Sequence, residues 1–197
     1  MATYHSFAAG ILDEFGARDG HRAGAGLMDE GHRFELAGRV LRNLDTQTLD
    51  LTKIPSLRKD VLALADALND NLLDAADVRR RAPKDPDEIW MRRLALLEAA
   101  ERFREAKDHL GMVEYSDLIR RAVEIVERHT VVADEITARY DTVLLDEYQD
   151  TDRAQRRLLS RLFTGGTAVT AVGDADQTIY EWRGASLQNF EGFPRDF

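Results

Sequence analysis

The sequence contains no cysteine. That excludes disulfides and thiolate metal sites, and it fits a reducing cytoplasm, the expected location. No apolar run approaches the roughly 18 residues that cross a bilayer, so no membrane partner is expected. The opening residues, Met1 to Phe7, carry neither the basic start nor the apolar stretch of a secretory signal. Internal repeats and low-complexity segments are absent as well. Lysine is scarce: Lys53, Lys59, Lys84 and Lys107 follow Thr52, Arg58, Pro83 and Ala106. No Gly-Lys pair therefore exists, which excludes the phosphate-cradling loop Gly-x-x-x-x-Gly-Lys-(Ser/Thr) from these residues.

What is present describes a globular chain. Its 197 residues are 44% hydrophobic and 32% charged, enough for a buried core in one or two domains. The net charge of -9 argues against a surface that wraps nucleic acid all round. A local track built from a few stacking side chains is still compatible with that charge. The cluster Arg79-Arg80-Arg81 sits in a neutral neighbourhood, because residues 74–108 hold nine basic and nine acidic side chains. It reads as a solvated helix face.

The first two-thirds of the chain has helical periodicity. Phe7, Ile11, Leu12 and Phe15 share a face after Ser6, with Gly16 as the expected stop. Gly16 to Gly31 reads as a loop or junction. Phe34, Leu36, Val40, Leu41 and Leu44 suggest a second helix. Pro55 and Ser56 open a third, with Leu57, Val61, Leu64, Leu68 and Leu72 in register. Asp85-Pro86-Asp87-Glu88 signals another start, with Asp85 as cap and Pro86 at the first helical position. Trp90, Leu94, Leu97 and Phe103 then form an expected core stripe. The stripes at 57–72 and 89–103 are expected to pack on each other and bury Leu64, Leu68, Leu94 and Leu97.

After Gly111 the pattern changes. Ser116 is the expected cap of a helix carrying Leu118, Ile119, Ala122, Val123 and Val126. Thr142-Val143-Leu144-Leu145-Asp146 is a short apolar run ending in acids, which reads as a buried parallel strand. A helix through Gln155, Leu158, Leu159, Leu162 and Phe163 follows, closed by Gly165-Gly166. A second strand, Ala168 to Val172, ends in Gly173-Asp174. Strand, helix, strand makes an α/β unit, and ligands of such sheets sit at the carboxyl ends of strands.

Two segments occupy those ends. In Leu144-Leu145-Asp146-Glu147-Tyr148-Gln149-Asp150-Thr151, an Asp on a rigid strand tip can hold Mg²⁺, and the adjacent Glu can reach a water molecule. A solvated acidic turn would look similar. The second segment runs from Gly173-Asp174-Ala175-Asp176-Gln177-Thr178-Ile179-Tyr180 through Glu181-Trp182-Arg183-Gly184-Ala185. Its Gln can hydrogen-bond a phosphate oxygen, its Tyr and Trp offer flat faces for bases, and its Arg can stack or bind phosphate. The two rings could equally fill a core gap.

Together the segments resemble the UvrD/Rep/PcrA group of superfamily 1 DNA helicases. That group has a Walker B motif Asp-Glu-(Phe/Tyr)-Gln-Asp-Thr, followed by Gly-Asp-x-Asp-Gln-Ser-Ile-Tyr-x-(Phe/Trp)-Arg-Gly-Ala. Thr178 stands where Ser is commoner. Thr3-Tyr4-His5-Ser6 looks like the group's Thr-Phe-His-Ser segment, which contacts single-stranded DNA. Glu114-Tyr115-Ser116-Asp117-Leu118-Ile119 is similar to the acidic-aromatic helix start that precedes Walker B.

The resemblance implies a role at each matching position. Asp146 would hold Mg²⁺, and Glu147 would activate the hydrolytic water of ATP. Gln177 would sense the γ-phosphate and couple it to DNA. Tyr180 and Trp182 would stack on bases, with Arg183 linking that pocket to the nucleotide side. Thr3 and His5 would contact the strand, and Tyr4 would line a base pocket where the group usually has Phe. The expected fold is a partial RecA-like (P-loop NTPase) α/β parallel-sheet domain, residues 1–18 and 111–197, with a large helical insertion at 19–110.

In the intact protein the resemblance implies ATP-driven 3′ to 5′ translocation on single-stranded DNA and unwinding at duplex junctions, alongside the remaining helicase domains. The missing lysine loop implies a fragment that alone hydrolyses no ATP. A missing neighbour strand would leave a sheet edge open to self-association. The alternatives are the motor segment of a RecB/AddA-like helicase–nuclease, or a non-catalytic remnant serving as a binding module.

Overall fold

Thr3 starts the first helix, α1 (Tyr4–Phe15), because its extended backbone lets its hydroxyl accept from the Ser6 amide at 3.1 Å. The cap thus lies three residues before Ser6, after which the apolar face begins. Gly16 ends α1 as expected, standing as its C-cap. It is right-handed at φ -59, a tight turn continues to Asp19, and the left-handed residue is Gly20 at φ 77. The computed structural model describes residues 1–21, 25–174 and 187–197. Its further elements are β1 (Gly26–Leu27), α2 (Glu30–Arg42), α3 (Ile54–Asp70), α4 (Ala75–Arg80), α5 (Glu88–His109) and β2 (Met112–Val113). Then come α6 (Tyr115–Arg128), α7 (Thr130–Thr137), β3 (Thr142–Leu145), α8 (Arg153–Phe163), β4 (Ala168–Ala171) and α9 (Leu187–Asp196). No helix among the described residues is long and apolar enough to cross a membrane.

The chain divides into two compact units, Met1–Ala23 with Asp70–Leu72 and Ser116–Phe197, and Gly24–Asn69 with Leu73–Tyr115. Both divisions fall a few residues beyond those drawn at 18 and 110. One physical reason is Asp19, whose carboxylate takes two contacts from Arg128 at 2.7 and 2.8 Å and so stays with the first unit.

In the first unit, β3 and β4 pair in parallel with Thr142 opposite Ala168 and Leu145 opposite Ala171. Leu145 joins a core with Ala8, Ile11 and Phe15 of α1, Ile119, Val123 and Val126 of α6, Ile136 of α7, and Leu158 and Leu162 of α8. The sheet is not buried on both faces as its sequence suggested. Alternate residues point opposite ways, and the described helices cover one side. Leu144 is 75% exposed and Val172 59%.

The second unit is a helical body with a short parallel pair, β1 beside β2. Leu36, Leu41, Val61, Leu97 and Phe103 lie in its core. Leu68 and Leu97 are buried as expected, while Leu64 and Leu94 are half-buried against the same core. Ala65 and Leu68 of α3 line one small cavity with Ala100 and Phe103 of α5, and Arg92 donates to Asp60 at 3.0 Å. The closest packing of α5 is on α2, however.

Three local expectations are corrected. The cap of α5 is Asp87, accepting from the Trp90 amide at 2.8 Å, so Pro86 precedes the helix. Ser116 lies inside α6, which begins at Tyr115. Trp90 is only half-buried and outside the core, with the Arg93 guanidinium 5.2 Å from its ring centre. The arginine cluster behaves as a solvated face: Arg79 pairs with Glu101 and Arg80 with Asp77, at exposed positions. No sequence pattern announced the fully buried Lys107. It pairs with buried Glu114, and Arg33 joins Glu114 to Asp66.

Candidate functional site

The acidic segment is positioned by the end of β3. Past Leu145 the chain turns sharply, placing Asp146 at the strand tip and Glu147 in the left-handed region at φ 53, ψ 41. A side chain in that conformation costs on the order of 1–3 kcal/mol and persists only when its surroundings enforce it. Here they do. The Val172 amide donates to Leu145 at 2.8 Å and the Tyr148 amide to Val172 at 3.1 Å, fastening both sides of the turn to the end of β4. Buried Thr151 donates to the Tyr148 carbonyl at 2.7 Å. Asp152 and Gln155 then cap α8 reciprocally, at 2.7 and 3.2 Å.

Asp146 and Glu147 are exposed, adjacent carboxylates, and no described basic side chain forms an ion pair with either. The Glu147 amide donates to Asp146 Oδ1 at 3.1 Å. Beneath them lies Gln149, 1% exposed. Its Nε2 donates to Glu147 Oε2 at 2.6 Å, and its Oε1 accepts from the Asp174 amide at 3.1 Å. The amide orientation is dictated by chemistry: a backbone N–H can only donate and a carboxylate only accept. The tips of β3 and β4 therefore meet through one buried side chain.

Two tyrosines support the turn. Tyr4 of α1 is half-buried and donates its hydroxyl to the Asp146 carbonyl at 3.2 Å. Burial, reinforced by Tyr148, Asp146 and Asp152 nearby, holds its phenol far above the ordinary range. Tyr148 is fully buried, stacks edge-on against Phe193 at 5.3 Å and donates to Asp196 at 3.3 Å. Burial, then the Asp196 carboxylate, pushes its phenol up to about 12.

The structure thus brings Tyr4, Asp146 and Glu147 together. Thr3 is exposed, and its hydroxyl caps α1; His5 is half-buried in the first turn of the same helix. Gln177, Tyr180, Trp182 and Arg183 lie outside the described residues. Gln149 is the site residue that sequence reasoning passed over. Its only signal was a polar residue inside the acidic motif, and burial gives it meaning. Asp19, His21 and Glu124 also lie within metal-binding reach of one another. Arg128, Arg121 and Arg120 respectively contact them at 2.7, 3.4 and 3.1 Å, so arginines already occupy all three.

The chemistry of the tip fits Mg²⁺. Small hard cations prefer carboxylate oxygen, and neither acid is ion-paired with a basic side chain among the described residues. PcrA of Staphylococcus aureus strain Mu50, an ATP-dependent DNA helicase, is 27% identical over 203 residues, covering 100% of this chain and 26% of that protein. DNA helicase II of Haemophilus influenzae is 34% identical over 95 residues, 48% of this chain and 13% of that protein. PcrA of Leuconostoc citreum is 26% identical over 199 residues, 100% of this chain and 25% of that protein. The chain spans about a quarter of the length of the PcrA relatives it matches. The family model for the UvrD/REP helicase N-terminal domain matches residues 1–197, and the chain belongs to that family.

Proposed function

We propose that this chain is a section of the first motor domain of an ATP-dependent DNA helicase that translocates 3′ to 5′ on single-stranded DNA and unwinds duplex junctions. The observation that carries the reading is the pair of exposed carboxylates at the tip of β3, tied to the tip of β4. Mg²⁺, when bound with ATP, neutralises charge on the phosphates. Asp146 holds the metal. Glu147, one residue on, orients the attacking water and accepts its proton. Gln177 reads the γ-phosphate, and Arg183 links it to the stacking pair Tyr180 and Trp182. Thr3, Tyr4 and His5, at the start of α1, meet the DNA strand, and the Tyr4 hydroxyl gives that segment a direct bond to Asp146.

Residues 1–18 and 111–197 form the motor portion, and 19–110 the helical insertion. With no Gly-Lys pair to cradle the β- and γ-phosphates, the 197 residues alone turn over no ATP; positioning and charge stabilisation supply nearly all catalysis in this chemistry. The test is phosphate release by this chain and by the longer polypeptide with the remaining helicase domains, each with and without single-stranded DNA. Activity is expected only in the longer polypeptide, stimulated by DNA, with 3′-tailed duplexes unwound and 5′-tailed ones left intact. DNA-stimulated turnover by the 197 residues, or unwinding from 5′ tails, refutes the corresponding part.

A further inference from the structure

We infer that Gln149 is a positioning residue that fixes the Glu147 carboxylate and ties its orientation to the end of β4. The inference rests on the hydrolytic role proposed above for Glu147. Gln149 is buried to 1% exposure and its carboxamide is engaged at both ends, by Glu147 Oε2 at 2.6 Å and by the Asp174 amide at 3.1 Å. A buried amide left half-paired is costly, so each of its bonds holds the other in place. Glu147 needs such a hold. It is exposed, and its left-handed backbone aims the side chain away from the course β3 would have given it. Displacement of Gly173-Asp174 draws on Gln149 Oε1, and the same rigid amide carries the change to the carboxylate. In sequence, Asp174 stands three residues before Gln177. Gln149 thereby links the water-orienting group to the start of the segment that carries the other nucleotide- and DNA-facing side chains.

Two measurements decide this. In the longer polypeptide, Gln149→Glu keeps an acceptor for the Asp174 amide but puts a carboxylate against Glu147, and Gln149→Met removes both bonds at similar volume. Either substitution is expected to lower the DNA-stimulated kcat about 10- to 100-fold, in the range of outer-shell substitutions, with KM for ATP changed by no more than about twofold. In a Glu147→Gln background the second substitution should cost nothing further, because Gln149 acts through Glu147. Unchanged kcat, proportional changes in kcat and KM, or a full additional loss in that background overturns the inference.

The second measurement needs no turnover. In the 197-residue chain, Glu147→Gln should shift the NMR signals of the Gln149 carboxamide and of the Asp174 amide together. Static signals there overturn the linkage even where the longer polypeptide is inactive. A wild-type polypeptide without DNA-stimulated hydrolysis, but with both signals shifting, sinks the functional reading and leaves the linkage standing.

Discussion

In the helical unit, buried Lys107 and Glu114 neutralise each other and reach out to Arg33 and Asp66. In the α/β unit, Asp146 and Glu147 stand exposed at a strand tip with no described basic partner. At these positions the helical unit buries its charges as partners of one another, and the α/β unit keeps two of its acids available. Both units expose apolar side chains, Ile89 at 62% in the helical one and Leu144 at 75% in the other, where it lies two residues before the acidic tip. Stability and function thus fall on different residues, which makes the two separable by mutation.

The sharpest separation comes from Glu147→Gln. In the longer polypeptide it should lower DNA-stimulated ATP turnover about 100- to 10,000-fold, the usual weight of a positioned base. The thermal midpoint should stay within a few degrees. A loss of turnover that tracks a loss of folding would break the comparison.

The converse substitution is Lys107→Met. Removing one member of a buried pair leaves charge uncompensated and costs about 3–5 kcal/mol. Urea unfolding of this chain in a Trp182→Phe background, read through Trp90, should show that loss in the helical unit. A loss below about 1 kcal/mol would mean that water or Arg33 already satisfies Glu114 and that the network is not structural.

The third effect is one of pH. The Tyr148 phenol is raised from its ordinary 10 to about 12, by burial and then Asp196, and burial raises Tyr4 as well. The unfolded chain therefore releases these protons first. Stability is whole below about pH 10 and declines as pH rises toward 12, by on the order of 2 kcal/mol for Tyr148. Denaturation followed across that window should have a shallower slope in Tyr148→Phe. An identical slope would assign the loss to other groups.

Last and smallest, the open sheet face should make the 197 residues associate with themselves. Light scattering over a range of concentrations is expected to show a rising mass, and Leu144→Lys with Val172→Thr should suppress it. A strictly monomeric wild type would show that the exposed face is tolerated alone.

Much of this was legible in the sequence because it is local. The Asp146-Glu147 pair at the end of an apolar run, the helix through Leu158 and Leu162, and the stripe through Leu97 and Phe103 all follow from short-range pattern. Helix starts were read one or two residues off at Asp85 and Ser116, because several residues near each start can cap and only backbone geometry selects among them. Strand burial was overread at Leu144, since an apolar run does not tell which face finds a partner. Gln149 and Lys107 were illegible for a different reason. A polar residue becomes important only when distant chain engages it, through the Asp174 amide in the first case and the helical core in the second.

The Lys107–Glu114 pair also has a consequence for ionic strength. Added salt screens exposed charges over about 10 Å at 0.1 M and weakens contacts to a phosphate backbone, but it penetrates little to a pair as enclosed as this one. On the DNA-binding role proposed above, a salt titration should therefore release DNA while leaving the helical unit's folding nearly untouched, so lost binding across such a series can be read as lost phosphate contact rather than lost structure.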